Sequence, residues 1–319
     1  MMACGTLVFA PGESEKQVVV HIVNDAYAEP DQTFTITLSN PSGARLDDLH
    51  AASVTIRGDS PHAAQANPAD DVRFFVRQHY LDFLSREPDD SGAQFWAQGI
   101  TSCGADAGCR EVKRIDTSAA FFLSIEFQRT GFLVYRMYEA AFGDIPGSLV
   151  PVRRDELLPD TQAVGRGVVV GAPGWEQQLE ANKGSFAQAF VSRQRFADAY
   201  PAALTPAEFV ARLNRNAGGA LTQAEADALA QELAANGNTQ QARAAALRKV
   251  AENAGFARRE FDRAFVLMEY FGYLRRDPDD AGYRFWLAKL EQFGGDYVRA
   301  EMVKAFIQST EYRQRFGPP

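Results

Sequence analysis

Residues 80–96 read YLDFLSREPDDSGAQFW, and residues 270–286 read YFGYLRRDPDDAGYRFW. The second stretch follows the first by 190 positions without a gap, and nine of the seventeen positions are identical. They include Leu84/Leu274, Arg86/Arg276, Pro88/Pro278, Asp89/Asp279, Gly92/Gly282 and Trp96/Trp286. A match of this density that includes both Pro and Trp is an internal repeat, and it frames the rest of the chain.

The repeated unit has a readable shape. Val76, Tyr80, Phe83 and Leu84 fall at i, i+4, i+7 and i+8, as do Val266, Tyr270, Tyr273 and Leu274, so each copy carries one apolar helical face. A residue before proline is disfavoured in the helical region, so the helix is expected to stop near Arg86 and Arg276. Pro-Asp-Asp then supplies a fixed φ and side-chain caps for a second helix. That helix is expected to carry its Phe-Trp pair toward the first, giving a helical hairpin with an aromatic lock. The spacing of Tyr80, Trp96, Tyr270 and Trp286 is that of a core and not of a sugar platform.

Outward from the hairpin the tail recurs as well. AFFLSIEF (120–127) returns as AFVSRQRF (189–196) and AFIQSTEY (305–312), and more faintly as KVAENAGF (249–256). The first helix returns faintly as YRMYEAAFGDIP (135–146) and FVARLNRNAGG (209–219). Four helical units are expected, near 72–130, 131–200, 203–258 and 259–316, with the middle two the most diverged. They group as 72–200 and 201–319.

Residues 5–57 are patterned differently. Leu7 and Phe9, then Val18, Val20 and Ile22, then Phe34, Ile36 and Leu38, then Val54 and Ile56 alternate with polar neighbours. That is the period of half-buried strands. Pro-Gly at 11–12, Asn-Asp at 24–25 and Asn-Pro-Ser-Gly at 40–43 mark turns, so four antiparallel strands are expected. Residues 60–71 hold Pro, Ala and acidic residues without periodicity and read as a linker.

With 319 residues the chain has room for two or three domains, and 46% hydrophobic with 23% charged is ordinary globular material. A net charge of -8 and an isoelectric point near 5.2 argue against nucleic acid and anionic membrane surfaces as partners. No apolar run reaches the roughly 20 residues of a membrane span, and the first residues lack a signal peptide's basic and apolar segments.

GTLVFAPGESEKQVVVHIVNDAYAEPDQTFTITLSNPSGARL (5–46), with SVTIRGD (53–59), resembles a Calx-beta domain. The resemblance implies an immunoglobulin-like β-sandwich over residues 1–59 that lacks the family's opening strands. The chain is thus expected to begin inside the domain, with a signal peptide upstream. It also implies calcium at one end of the sandwich, on Asn24, Asp25, Glu29, Gln32 and Asp59. Calcium needs six to eight oxygens, and Asn and Gln supply theirs without charge, so polar turn residues are the alternative reading. The helical units resemble the bacterial domain of unknown function 4214, whose signature is Leu-x-Arg-x-Pro-Asp followed by Gly and an aromatic-Trp pair. That family is similar to phycobilisome linker domains and accompanies secreted, surface-layer and toxin-type proteins.

Two insertions depart from the repeat. The offset falls from 190 at the hairpin to 185 at the tail, and the extra residues hold Cys103-GADAG-Cys109. A disulfide, two free thiols or half of a metal site could stand there, and no third or fourth Cys or His ligand lies nearby. The exported company that the resemblance implies favours the disulfide, which would contribute roughly 2 kcal/mol by loop closure. Unit two has about 21 extra residues between Pro146 and Trp175, with Arg153, Arg154 and Arg166. They read as a partner contact or a draped loop anchored by Val168–Val170.

Other motifs yield to simpler readings. Asp277-Pro-Asp279-Asp-Ala-Gly282 resembles half of an EF-hand loop, but its twelfth position is Ala288, and Gln98 in the other copy, where a bidentate Glu is required. Gly165-Arg-Gly-Val-Val-Val-Gly171 has no preceding strand to make it a dinucleotide loop. The four histidines (21, 50, 62, 79) are scattered, and His79 reads as a helix-face residue rather than a base. No enzyme is expected. The fold class is multidomain: a small, partial all-β immunoglobulin-like sandwich, then an all-α tandem hairpin-repeat region. The function expected is a non-catalytic extracellular or cell-surface protein that is structural or binds another protein or a surface polymer. The alternatives are a metal-free scaffold or linker, and an accessory module of an exported enzyme or toxin.

Overall fold

The structure, a computed structural model, describes residues 7, 9, 12–18, 20, 22, 30–58 and 67–318. Strands β1 (Gln32–Thr37) and β2 (Ala51–Ile56) pair antiparallel, with Phe34 opposite Val54. Phe34, Ile36, Val54 and Ile56 are half-buried while their neighbours are exposed, as period-2 alternation requires. On the other face Thr33 meets Thr55, and Thr35 meets Ser53, each hydroxyl pair 3.2 Å apart. Asn40 takes a left-handed conformation (φ 53°) at the Asn-Pro-Ser-Gly turn. The strands expected around 7–9 and 18–22 fall on stretches interrupted by residues outside the description.

From residue 72 the chain is helical, and the helices come in fours. Unit one comprises α1 (Val72–His79), α2 (Asp90–Thr101), α3 (Ala107–Leu123) and α4 (Ile125–Arg129). Unit two has α5 (Gly131–Phe142), α6 (Arg154–Gly165), α7 (Trp175–Val191) and α8 (Gln194–Ala199). Unit three has α9 (Pro206–Asn216), α10 (Gln223–Ala235), α11 (Gln240–Ala251) and α12 (Ala254–Arg259). Unit four has α13 (Phe261–Glu269), α14 (Asp280–Gln292), α15 (Met302–Ile307) and α16 (Thr310–Arg313). The short fourth helix is set by its cap: the Ser124, Asn253 and Ser309 side chains accept the N–H of Phe127, Phe256 and Tyr312, and each aromatic is buried.

The first helices of units one and four do not simply stop before proline. Each widens into a π-helical turn, Tyr80–Leu84 and Tyr270–Leu274, and ends on a left-handed residue, Ser85 or Arg275, at φ 53°. Asp89 and Asp279 then accept the N–H of Gly92 and Gly282 at 2.8 Å and start the second helix.

The units pair in space as first with fourth and second with third. The two π-turns face each other: the Phe83 and Tyr273 rings lie 5.1 Å apart, edge to face, and Phe122 packs on both Tyr273 and Phe265. Asn67 clasps the opposite end of the helical region, donating to the carbonyls of Arg313, Gly317 and Pro318. Between units two and three, Asn216 donates to the Ala141 carbonyl at 2.8 Å, and Arg136 donates to the Ala251 carbonyl at 2.6 Å. One apolar cluster runs from Ala69 to Phe316 through all four units. Hairpins one and four bury their apolar turns against each other across the boundary between 72–200 and 201–319.

The stretch expected as a loop at 147–174 is half helix. Residues 154–165 form α6, which tolerates Pro159 within it and buries Leu157 and Val164. Two of the stretch's arginines meet unit four. Arg154 donates from its backbone to Asp277 (2.8 Å) and from its side chain to the Phe271 carbonyl (3.1 Å), while Arg153 lies 3.6 Å from the Asp277 carboxylate.

Candidate functional site

The hairpin of unit one encloses the candidate site. Its floor is Tyr80, which packs edge-on against Phe121 at 4.9 Å. A side chain at position 92 would collide with the Tyr80 hydroxyl, so glycine is required there, and Gly282 stands against Tyr270 for the same reason. Arg86 lies over the Tyr80 ring at 5.0 Å and holds Glu126 with two 3.0 Å bonds, Nε to Oε1 and Nη2 to Oε2. Burial alone would lower the Arg86 pKa, but the Glu126 carboxylate outweighs it and raises it. Arg86 also donates to the Glu87 carbonyl, and Asp89 accepts from Ser91 and Gly92. Asp89 is held below the usual carboxylate range by the Ser91 hydroxyl and then the Gly92 N–H. The Arg in the repeat is thus a clamp from hairpin to tail helix, and its glutamate was visible in the recurring Ser-x-Glu-aromatic string.

Above this floor lies an open cleft of about 560 Å³. Phe95 and Trp96 line one side, and Val169 and Val170, from the segment between α6 and α7, line another. The helix does carry Trp96 onto the core, where it meets Phe121 at 5.8 Å. Phe95 does not follow it. Adjacent helical positions point about 100° apart, so one of the pair must face out. Phe95 is 66% exposed and its counterpart Phe285 58%. Of the anchoring valines, Val168 is buried and the next two form the cleft wall.

The calcium residues expected from sequence are Asn24, Asp25, Glu29, Gln32 and Asp59. Gln32 opens β1 opposite Ile56. The other four lie outside the described residues. Among the described residues no cluster of three or more His, Cys, Asp or Glu side chains could hold a metal ion. The EF-hand-like acids serve the fold: Asp277 takes the Arg154 N–H, and Asp279 caps α14. Cys103, just after α2, is bonded to Cys109 in the first turn of α3, with Cα atoms 5.6 Å apart.

His79 lies in the core, not on an outer face. Its Nδ1 meets the Phe75 carbonyl at 2.8 Å, and its Nε2 meets the Ser118 hydroxyl at 2.7 Å. Burial lowers its pKa to about 4. Glu269 stands 190 positions later in the equivalent place, buried, and neither carboxyl oxygen finds a hydrogen-bond partner among the described residues. Burial raises its pKa well above 4.5, and burial raises Glu139 to about 8.

The signs oppose. The unfolded chain takes up the His79 proton first on acidification, so that group's contribution is lost as pH falls from 6.5 toward 4. The folded chain keeps the glutamate protons longer, so their contribution is lost as pH rises from 4.5 toward 8 and beyond. Between pH 6.5 and 8 only the glutamates act among these three groups. Glu269→Gln is expected to raise the melting temperature at pH 8 while leaving it within about 1 °C of wild type at pH 4. Thermal unfolding across that range checks this, and an equal shift at both pH values would remove the assignment.

Comparison with known proteins places two families on the chain. Residues 1–60 match the Calx-beta domain, and residues 248–316 match the domain of unknown function DUF4214. The chain carries both domains. It is similar to sodium/calcium exchanger 1 of Mus musculus, 30% identical over 123 residues, which is 36% of this chain and 11% of the exchanger. The Rattus norvegicus exchanger is 29% identical over the same shares. The chain thus spans about a tenth of the length of these relatives. No solved structure matches it. Among the described residues no helix is long and apolar enough to cross a membrane.

Proposed function

We propose that this chain is a non-catalytic extracellular or cell-surface interaction protein, with a calcium-binding Calx-beta module and a helical body that offers its hairpin cleft to a partner. The observation that carries the reading is the division of labour at that cleft. Arg86, Glu126 and Asp89 are engaged with one another, with Ser91 and with the backbone, while Phe95 is left 66% exposed. A general acid or base must reach the substrate's proton, whereas an exposed aromatic beside a cleft is a contact surface. The Ser118–His79 contact supports the same reading, since it is sealed in the core and the imidazole is neutral above about pH 4.

Calcium enters through the Calx-beta match and through relatives named as sodium/calcium exchangers. Asp25, Glu29 and Asp59, with Asn24 and Gln32, are the residues proposed to hold it. The Cys103–Cys109 pair belongs to the exported setting, because such bonds persist in oxidising compartments.

The test is thermal unfolding of the whole chain with calcium and with chelator, beside thiol counting without reductant. Calcium at about 100 times its Kd is expected to stabilise by about 2.7 kcal/mol, an effect lost in Asp25→Ala, and one of three cysteines is expected to react. No shift at roughly 10 mM calcium, far above the weakest extracellular sites, sinks the metal and leaves a scaffold. Three reactive thiols sink the exported setting.

A further inference from the structure

Where α13 of unit four meets unit two, three carboxyl groups surround Arg263. Its Nη2 donates to the Asp144 carboxylate at 2.6 Å and to the Leu149 carbonyl at 3.0 Å, both in the segment between α5 and α6. Its Nη1 lies 3.3 Å from Glu260 Oε2 and 3.7 Å from Glu139 Oε1. The last distance is too long for a hydrogen bond. Glu139 Oε2 has no partner among the described residues either. Glu260 is better served, since it accepts the Tyr135 hydroxyl at 3.2 Å and the Arg259 Nε at 3.4 Å.

A count of charges decides which acid carries a proton. Asp144 and Glu260 balance Arg263 and Arg259, so a third carboxylate would be in excess. Glu139 is the acid with neither water nor a hydrogen bond: its side chain is 7% exposed, against 37% for Asp144. Ionised there, it would give up its hydration for nothing. Burial is the main cause that raises its pKa to about 8, with Arg263 opposing the rise and Asp144 and Glu260 adding to it. Charged groups on the other helices packed against α5 have partners of their own. Glu126 of α4 is held by Arg86, Asp160 of α6 by Arg193, and Arg212 of α9 by the Ala199 carbonyl, while Arg243 of α11 donates to the Tyr200 and Leu204 carbonyls.

We propose that Glu139 works a pH-operated latch: when neutral it leaves Arg263 to hold the 144–149 segment, and when ionised it draws Arg263 away and frees that segment. The exchange can run because the two competing acids differ in their access to water. Asp144, once released, is hydrated where it stands, whereas an ionised Glu139 has to find its counter-charge inside. Gly143 and Gly147, at φ 67° and 78°, bracket Asp144 and let the backbone turn there. The proton leaves to solvent, so the latch opens as pH rises and closes again as it falls.

The test is hydrogen exchange of the whole chain, read on the amides of residues 143–150 and divided by the intrinsic rate at each pH. Protection of this segment is expected to fall about tenfold between pH 7 and pH 9, while α9 and α10 hold theirs. Glu139→Gln is expected to keep the pH 7 protection at pH 9, and Glu269→Gln to leave the wild-type pH dependence in place. Asp144→Asn, at a half-exposed position, is expected to show already at pH 7 the low protection that wild type reaches at pH 9. That variant decides alone if Glu139→Gln does not fold. Protection that ignores pH, a fall that survives Glu139→Gln, an equal fall in α9 and α10, or full protection of Asp144→Asn at pH 7 overturns the proposal.

Discussion

Asp82→Ala is expected to lower the free energy of unfolding by about 3–5 kcal/mol, the cost of leaving buried partners uncompensated. The Asp82 side chain is only 2% exposed and stands where the two π-turns meet. Its carboxylate receives Arg275 at 2.8 Å, Arg315 at 2.9 and 3.0 Å, and the Gln78 amide at 2.9 Å. Arg315 in turn donates to the Tyr273 carbonyl at 2.6 Å, so one acid ties unit one to the turn and the final segment of unit four. Burial alone would raise the Asp82 pKa, but Arg315 and Arg275 outweigh it and lower it from 3.8. The contribution is therefore present above pH 3.8 and fades as pH falls through the lowered value. Urea unfolding at pH 7 measures it. A loss below about 1 kcal/mol would mean that the pair behaves as an exposed surface pair.

Gly272→Ala is expected to destabilise by about 2–3 kcal/mol, although the same change in an open helix gains close to 1 kcal/mol. A Cβ at Gly272 would overlap the Phe83 ring, with its third-nearest atom, Cδ1, still only 2.8 Å away. The ring cannot retreat, because Phe121, Phe122 and Phe127 enclose it. Gly184→Ala, in the interior of α7 with nothing near the added methyl, is the control and is expected to stabilise. The double variant Gly272→Ala/Phe83→Leu is expected to lose less than the two single changes summed, since the shared clash is removed. Additivity within about 0.5 kcal/mol would show that the clash is relieved elsewhere.

These two residues also mark where the repeat ceases to be informative. Asp82 and Gly272 occupy the same position of the 190-residue offset, and so do His79 and Glu269. A string comparison scores them as drift. In the fold Asp82 and Gly272 serve one junction, where a carboxylate on one turn reaches the arginine at the end of the other and a missing side chain admits the Phe83 ring.

Much of the local architecture was legible. The helical face Val76-Tyr80-Phe83-Leu84, the Asp89 and Asp279 caps, the glycines after them and the alternation of β1 and β2 all follow from rules acting over a few residues. Phe34 pairs with Val54 because period-2 patterning leaves each strand one apolar face. The Arg86–Glu126 and Arg276–Glu311 clamps could have been found, since both partners recur at matched positions in the repeat. Residues 154–165 read as loop because they fall in an insertion and carry Pro159; burial of Leu157 and Val164 overrides the proline penalty.

Sequence alone was enough for the repeat, its hairpins, their caps and the change from strands to helices, since each is encoded in spacing along the chain. Only the tertiary structure decided that unit one packs on unit four, that Phe95 and Phe285 face outward, and that Val169 and Val170 wall the cleft. Periodicity tells which face of a helix is apolar but is silent on what that face meets. The choice of neighbour depends on shape and charge at contacts up to 251 residues apart, and those exist only once the chain has closed on itself.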